Sequence, residues 1–180
     1  MEATSALVLY NSPSEFLAGG LAPIVTLNQI AEDYGLVGRA RADHLCYKCG
    51  DHASYLHLRE VLEPYADYNH VAPIGGRMIS YLKLREPLST VLGPIWYIEL
   101  SDQKPDGSQH EGFDHVEVYP TESSMRALAV HLEARGLQTS AGSCPTHETI
   151  DVRRIKGLKL RIEAGPLVEK IAREEMGIKF

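Results

Sequence analysis

The chain has 180 residues, 44% of them hydrophobic and 23% charged, which is enough for one good core or two small packed modules. A net charge of −6 argues against nucleic acid as a partner, because phosphate binding needs a basic stripe and the 18 Lys and Arg residues form none. No apolar run approaches the ~20 residues of a membrane span, "MEATSALVLY" lacks the basic flank of a secretion signal, and three cysteines, an odd number, suit reduced thiols better than a disulfide framework, so the expectation is a soluble, cytoplasmic chain.

The first forty residues read as a helical extension packed on a main domain spanning 41–180. Ser12, Pro13 and Glu15 supply an N-cap, a first-turn proline and a capping-box partner. Gly19, Gly20 and Pro23 then predict an interruption, after which "IVTLNQIAEDYG" resumes at helical spacing until Gly35. From Ala42 the pattern changes. "ADHLCYKC" alternates as a strand, Asp51 caps a helix that Pro64 ends, and short strands follow near 69–73, 78–84 and 95–100.

The second half repeats this order. "FDHVEVYP" is a strand, Thr121 is placed to cap a helix that Gly136 closes, and strands follow around 137–141, 149–155 and 158–163 before a last helix, "PLVEKIAREEM". The pattern predicts an α+β fold of two βαβββ modules, about 41–105 and 110–165. "CYKC" invites a zinc or redox reading, but no second Cys pair follows, and its odd offset puts the thiols of Cys46 and Cys49 on opposite faces of a strand.

Alternation along the strands singles out one set of residues. His44, Cys46 and Lys48 share a face opposite Leu45 and Tyr47, and His115 and Glu117 share one opposite Val116 and Val118. Tyr97 and Glu99 oppose Trp96, Ile98 and Leu100, while Lys159, Arg161 and Glu163 oppose Leu158, Leu160 and Ile162. The apolar faces must meet the helices, so His44, Glu99, His115 and Glu163 fall on the concave side. Two imidazoles and two carboxylates suit a divalent metal, here zinc, nickel, manganese or iron, with positions left open for substrate. The plainer reading is a metal-free cup in which these groups are hydrogen-bonded structural residues.

The segments "ADHLCYKC", "GGRMISYLKLREP", "IELSDQKP" and "HEGFDHVEVYP" resemble the YecM family, within the vicinal oxygen chelate superfamily that includes glyoxalase I, extradiol dioxygenases and bleomycin-resistance proteins. The resemblance covers roughly 41–163 and implies paired βαβββ modules forming one eight-stranded, incompletely closed barrel. It implies metal ligands at His44, Glu99, His115 and Glu163, the set that alternation selects. It departs at Glu163, where YecM-like sequences can carry a histidine.

Further candidates surround this set. Lys48, Arg77, Lys83, Tyr97 and Arg161 are placed to bind a carboxylate or phosphate, or, for the long cations, to stay solvated at the rim. Glu99 or Glu163 could shuttle a proton, and Glu117 is either a general base or the partner of Arg161. His110 and Glu111 precede the strand, where they either cover the cup's mouth, orient His115, or lie in a solvated loop. Cys46 fills space, and His52, His57, His70, His131 and His147 are expected at the surface. The resulting expectation is a metal-dependent, glyoxalase-like isomerase or lyase acting on a small anionic oxygenated molecule. Alternatives are a non-haem Fe(II) dioxygenase or a non-catalytic binding protein, as a monomer or homodimer.

Overall fold

A computed structural model describes residues 10–177. Ser12 caps α1 (Pro13–Asp33), its hydroxyl accepting from the Glu15 amide, and the helix runs straight through the predicted interruption. Proline inside a helix costs ~3 kcal/mol. Burial of Phe16, Ile24, Leu27 and Ile30 on one face of α1 supplies more than that. Gly20 is buried beside Leu45 and Phe113, where α1 comes close to the sheet.

Asp51 caps α2 (His52–Leu62) by accepting from the Ser54 amide, and Pro64 sits in the 3-10 turn that ends it. The cap of α3 (Met125–Glu133) is Ser124, three residues beyond the predicted Thr121. Thr121 is instead held to the loop before the first strand, its amide donating to Arg39 O and its hydroxyl to Gly38 O.

Among the described residues, eight strands form one open mixed sheet: β1 (Ala40–Lys48), β2 (Ala66–Ile74), β3 (Arg77–Leu88), β4 (Ile95–Ser101), β5 (Gly112–Pro120), β6 (Thr139–Ala141), β7 (Ile150–Ile155) and β8 (Leu158–Ile162). Their order is β2-β3-β4-β1-β5-β8-β7-β6. β1 and β5 pair antiparallel at the centre, and each pairs in parallel with the last strand of its own module, β4 or β8. The result is the expected α+β architecture of two βαβββ units in an incompletely closed cup.

The apolar faces of the strands meet α1, α2 and α3 in one core, with Leu45, Tyr47, Ile98, Val116, Leu160 and Ile162 buried. Phe16 sits at its centre, with ring centroids 5.2 Å from Tyr47 and 5.1 Å from Phe113. The thiol of Cys49 belongs to this core while that of Cys46 bonds Glu99, so the two do lie on opposite faces.

The last helix, α4 (Leu167–Glu175), lies over part of the concave face, burying Leu167 and Ile171 against Tyr97 beside Tyr68 and Tyr81. The Leu167 amide is held by Asp43 Oδ2 at 3.0 Å.

The loop joining β6 to β7 is pinned at its base. Gly142 donates to Thr149 O at 2.8 Å, and a Cβ on Gly142 would overlap the Thr149 hydroxyl and lie 2.9 Å from its Cβ. Gly142→Ala should therefore cost about 1–3 kcal/mol, read as a fall in the urea midpoint at unchanged slope; an unshifted midpoint would show that the hairpin opens freely.

Candidate functional site

Both central strands carry the dipeptide Asp-His, Asp43-His44 in β1 and Asp114-His115 in β5, and both are bulged there. Ala42 and His44 pair with the consecutive residues Val118 and Glu117, while Cys46 and Tyr47 face His115 and Phe113, so Asp43 and Asp114 are each the extra residue. A bulge re-aims the side chain it adds. Each aspartate consequently reaches its own neighbouring histidine, at 3.0 Å from His44 Nδ1 and 2.8 Å from His115 Nδ1. An imidazole that donates from Nδ1 to a carboxylate presents Nε2 to whatever lies ahead of it.

Ahead of both lie carboxylates. His44 Nε2 is 3.1 Å from Glu99 Oε2 and 3.5 Å from Glu117 Oε2. His115 Nε2 is 3.6 Å from Glu117 Oε1, beyond hydrogen-bond distance, and is buried without a hydrogen-bond partner among the described residues. The Cys46 thiol donates to Glu99 Oε1 at 3.3 Å. The ligand atoms of Cys46, Glu99 and His115 lie within 4.8 Å of one another, as do those of Asp43, His44 and Glu117.

Burial opposes charging of His44, but Glu117, Asp43 and Glu99 overcome it and hold the imidazole well above the ordinary histidine range. Burial likewise opposes ionisation of Glu117, yet His44, His115 and Lys170 keep its carboxyl well below the usual range. Glu99 is lowered by His44 and His115 against the same burial. The thiol of Cys46 is pushed well up by burial and by Glu99. The site thus holds two ionised buried carboxylates facing two oriented imidazoles.

Glu163 stands apart from this group. His44 pairs across the sheet with Tyr97 and His115 with Lys159, so the counterpart of Glu99 in the second module is Arg161, and Glu163 lies two residues further along the chain, just past the end of β8. The expectation of equivalent places for Glu99 and Glu163 is therefore corrected by the pairing register. Both Glu163 oxygens lie 2.9 Å from His147 Nε2, and one is 2.8 Å from Lys170 Nζ.

The other candidates are distributed unevenly. Lys48 lines the cup and pairs with Asp114 at 2.9 Å, and Arg161 lines it while bonding Asp151 at 2.7 Å rather than Glu117. Arg77 lines it with its Nε on Ser101 Oγ. Lys83 and Tyr97 border a separate cavity beside α4, and the Lys83 ammonium sits 5.9 Å over the ring of Trp96, which is 39% exposed and not in the core.

Glu111 does not orient His115. It accepts from Gly50 N and from the Ser54 hydroxyl, beside the start of α2, and His110 is exposed. Asp114 has the role expected of these two. The bulges that aim Asp43 and Asp114 are invisible to strict alternation, though the repeated Asp-His dipeptide was the signal for them. His147, expected at the surface, lines the cup because its loop folds back over β8. Lys104 and Lys170 line it too.

The space these groups enclose is a cavity of about 150 Å³ on the concave side, bounded by Glu99, His115, Glu117 and Arg161 at one end and by the loop carrying Cys144 and His147 at the other. It is small and rich in charge of both signs.

Comparison with solved structures places the fold. A structure titled "Structural Genomics, Protein EC4020" superposes with a TM-score of 0.70 at 22% identity over 89% of this chain and 92% of that one. Methylmalonyl-CoA epimerase gives a TM-score of 0.45 at 14% identity over 69% of this chain and 94% of that one. Homoprotocatechuate 2,3-dioxygenase from Arthrobacter globiformis gives 0.45 at 14% identity over 70% of this chain and 36% of that one. No curated protein matches. The family model described as "YecM protein" matches residues 24–174, nearly the whole of the paired-module sheet and its flanking helices. The chain belongs to the YecM family.

Proposed function

We propose that the concave site holds one divalent metal and that the protein is a metal-dependent enzyme of the vicinal oxygen chelate type, acting on a small anionic oxygenated molecule in a glyoxalase-like isomerase or lyase reaction. The observation that carries this reading is His115 Nε2, a buried nitrogen facing Glu117 with no hydrogen-bond partner among the described residues. An unsatisfied buried polar atom costs about 1–3 kcal/mol, and a cation there removes that cost while neutralising Glu99 and Glu117.

His44, Glu99, His115 and Glu117 are the proposed ligands, with Asp43 and Asp114 fixing the two imidazoles. Glu117 replaces Glu163 in this assignment because it reaches both histidines, whereas Glu163 is held by His147 and Lys170. A divalent ion so held supplies Lewis acidity for negative charge developing on substrate oxygens. The chain's own groups do the rest. Arg77 and Lys104 line the cavity and bind the substrate's anionic group, Lys48 and Arg161 hold the walls against Asp114 and Asp151, and α4 excludes water from the Tyr97 side. Glu99 carries the proton, because it touches both His44 and the Cys46 thiol.

The test is metal content by mass spectrometry on protein purified without an affinity tag, followed by titration of the stripped chain with zinc, nickel, manganese and iron(II). About one ion per chain is expected, with turnover of a 2-oxoaldehyde thiol adduct. Cleavage of a catechol instead would assign a dioxygenase, and failure to take up any of the four ions would leave a metal-free binding cup.

A further inference from the structure

The loop between β6 and β7 carries a second reactive group that the metal reading does not use. Cys144 Sγ lies 3.5 Å from His147 Nδ1 and 3.3 Å from Thr146 Oγ1, and the far nitrogen of the same imidazole lies 2.9 Å from both oxygens of Glu163. A thiol, an imidazole and a carboxylate thus stand in line, with the carboxylate almost fully buried at 1% exposure and the thiol partly buried at the cavity wall. This is the order in which a base takes a proton from a nucleophile while an anion behind it steadies the imidazolium. Gly142 and Thr149 pin the loop's base, so the alignment is held from below.

We propose that Cys144, His147 and Glu163 form a nucleophilic thiol centre at the mouth of the cup that captures the carbonyl carbon of a small anionic aldehyde. His147 takes the thiol proton. The sulfur then attacks the carbonyl carbon, a C–S bond forms, the C=O π pair moves onto oxygen, and that oxygen takes the proton from His147. The product is a hemithioacetal, reached reversibly with no oxidant or reductant. The preference for an anion rests on the cup being a small-anion site, as proposed above; the nucleophile itself does not.

Burial works against the Cys144 thiolate, but His147 and Thr146 outweigh it and bring the thiol down to about 7, while bonds to Cys144 and Glu163 raise His147 to about 9. Among the other groups facing this loop are Tyr81 of β3, Lys170 of α4 at 3.4 Å from His147 Nε2, Arg77 beside the turn that meets Pro145, Arg161, which bonds Ser143 Oγ, and Glu174, Glu169 and Arg173 of α4, which share cavities with His147. Cys46 and Cys49 are buried and pushed up, well above for Cys46 and beyond the range of ready ionisation for Cys49, so they serve as internal controls.

The experiment follows alkylation of the full chain by iodoacetamide between pH 5.5 and 9.5, with peptide mapping of each cysteine. Cys144 should react first, with a rate midpoint near pH 7, and His147→Gln should move that midpoint up by a unit or more towards the ~8.5 of a free thiol. Glu163→Gln should move it the same way by less. Glyoxylate should slow labelling of Cys144 saturably, whereas acetate, of equal charge but without an aldehyde, should not.

A wild-type midpoint at ~8.5, or one that His147→Gln leaves in place, would overturn the nucleophilic centre. Equal protection by acetate, or none by glyoxylate, would overturn carbonyl capture. Iodoacetamide is neutral and needs no metal, so these outcomes are independent of the metal titration.

Discussion

Asp114→Asn should weaken metal binding by about 10–100-fold without unfolding the protein, and His115→Ala, which removes a proposed ligand outright, should weaken it by more. The aspartate does not reach the proposed metal position. It lies 2.8 Å from His115 Nδ1, which orients the ring with Nε2 towards Glu99 and Glu117, and it is held in turn by Lys48 and Arg154. Burial resists its ionisation, but His115 and Lys48 together keep the carboxyl far below its ordinary range, so it is an anion throughout the accessible pH span. Asparagine has the same shape with half the acceptor capacity and no charge, so the imidazole loses both orientation and basicity. Competition titration against a chromophoric chelator reads the affinity, and circular dichroism checks the fold. Equal affinities for wild type and Asp114→Asn would mean that His115 does not bind the ion through Nε2.

Phe16→Ala should destabilise the chain by about 3–5 kcal/mol, the cost of emptying a large buried aromatic site. With a urea slope of about 1–3 kcal/mol per molar for a domain of this size, the midpoint should fall by at least about 1 M. Phe16 is fully buried and packs edge-on or tilted against Tyr10, Tyr47 and Phe113. This variant decides the standing of α1. A helical extension merely resting on the sheet would lose ~1 kcal/mol or less, and the two modules would unfold without it at nearly the same urea concentration. A large loss would make α1 part of the single cooperative core, which is how its contacts read.

The order of elements along the chain, the two repeated units and the face each strand turns to the core were legible in the sequence, because each rests on local rules. Val116 and Val118 must leave water whatever the rest of the chain does, and alternation then sends His115 and Glu117 the other way. Asp51 caps α2 from four residues away in sequence or fewer. Pro23 misled for the same reason: its cost is local, whereas the gain that overrides it comes from Leu45, Phe113 and other residues distant in sequence.

Sequence by itself therefore determined the pair of βαβββ units, the concave placement of His44, Glu99, His115 and Glu117, and a composition unsuited to nucleic acid. Tertiary structure decided everything that depends on register and on closure. The bulges at Asp43 and Asp114 shift pairing by one residue, and one residue is the whole difference between the two faces of a sheet. Register likewise put Arg161, not Glu163, in the second module's place equivalent to Glu99. The loop that brings Cys144 and His147 to Glu163, and the helix that lays Lys170 beside it, close over the cup from the far end of the chain. Such contacts are specified by how the sheet curves and where its edges meet, which no local pattern of residues records.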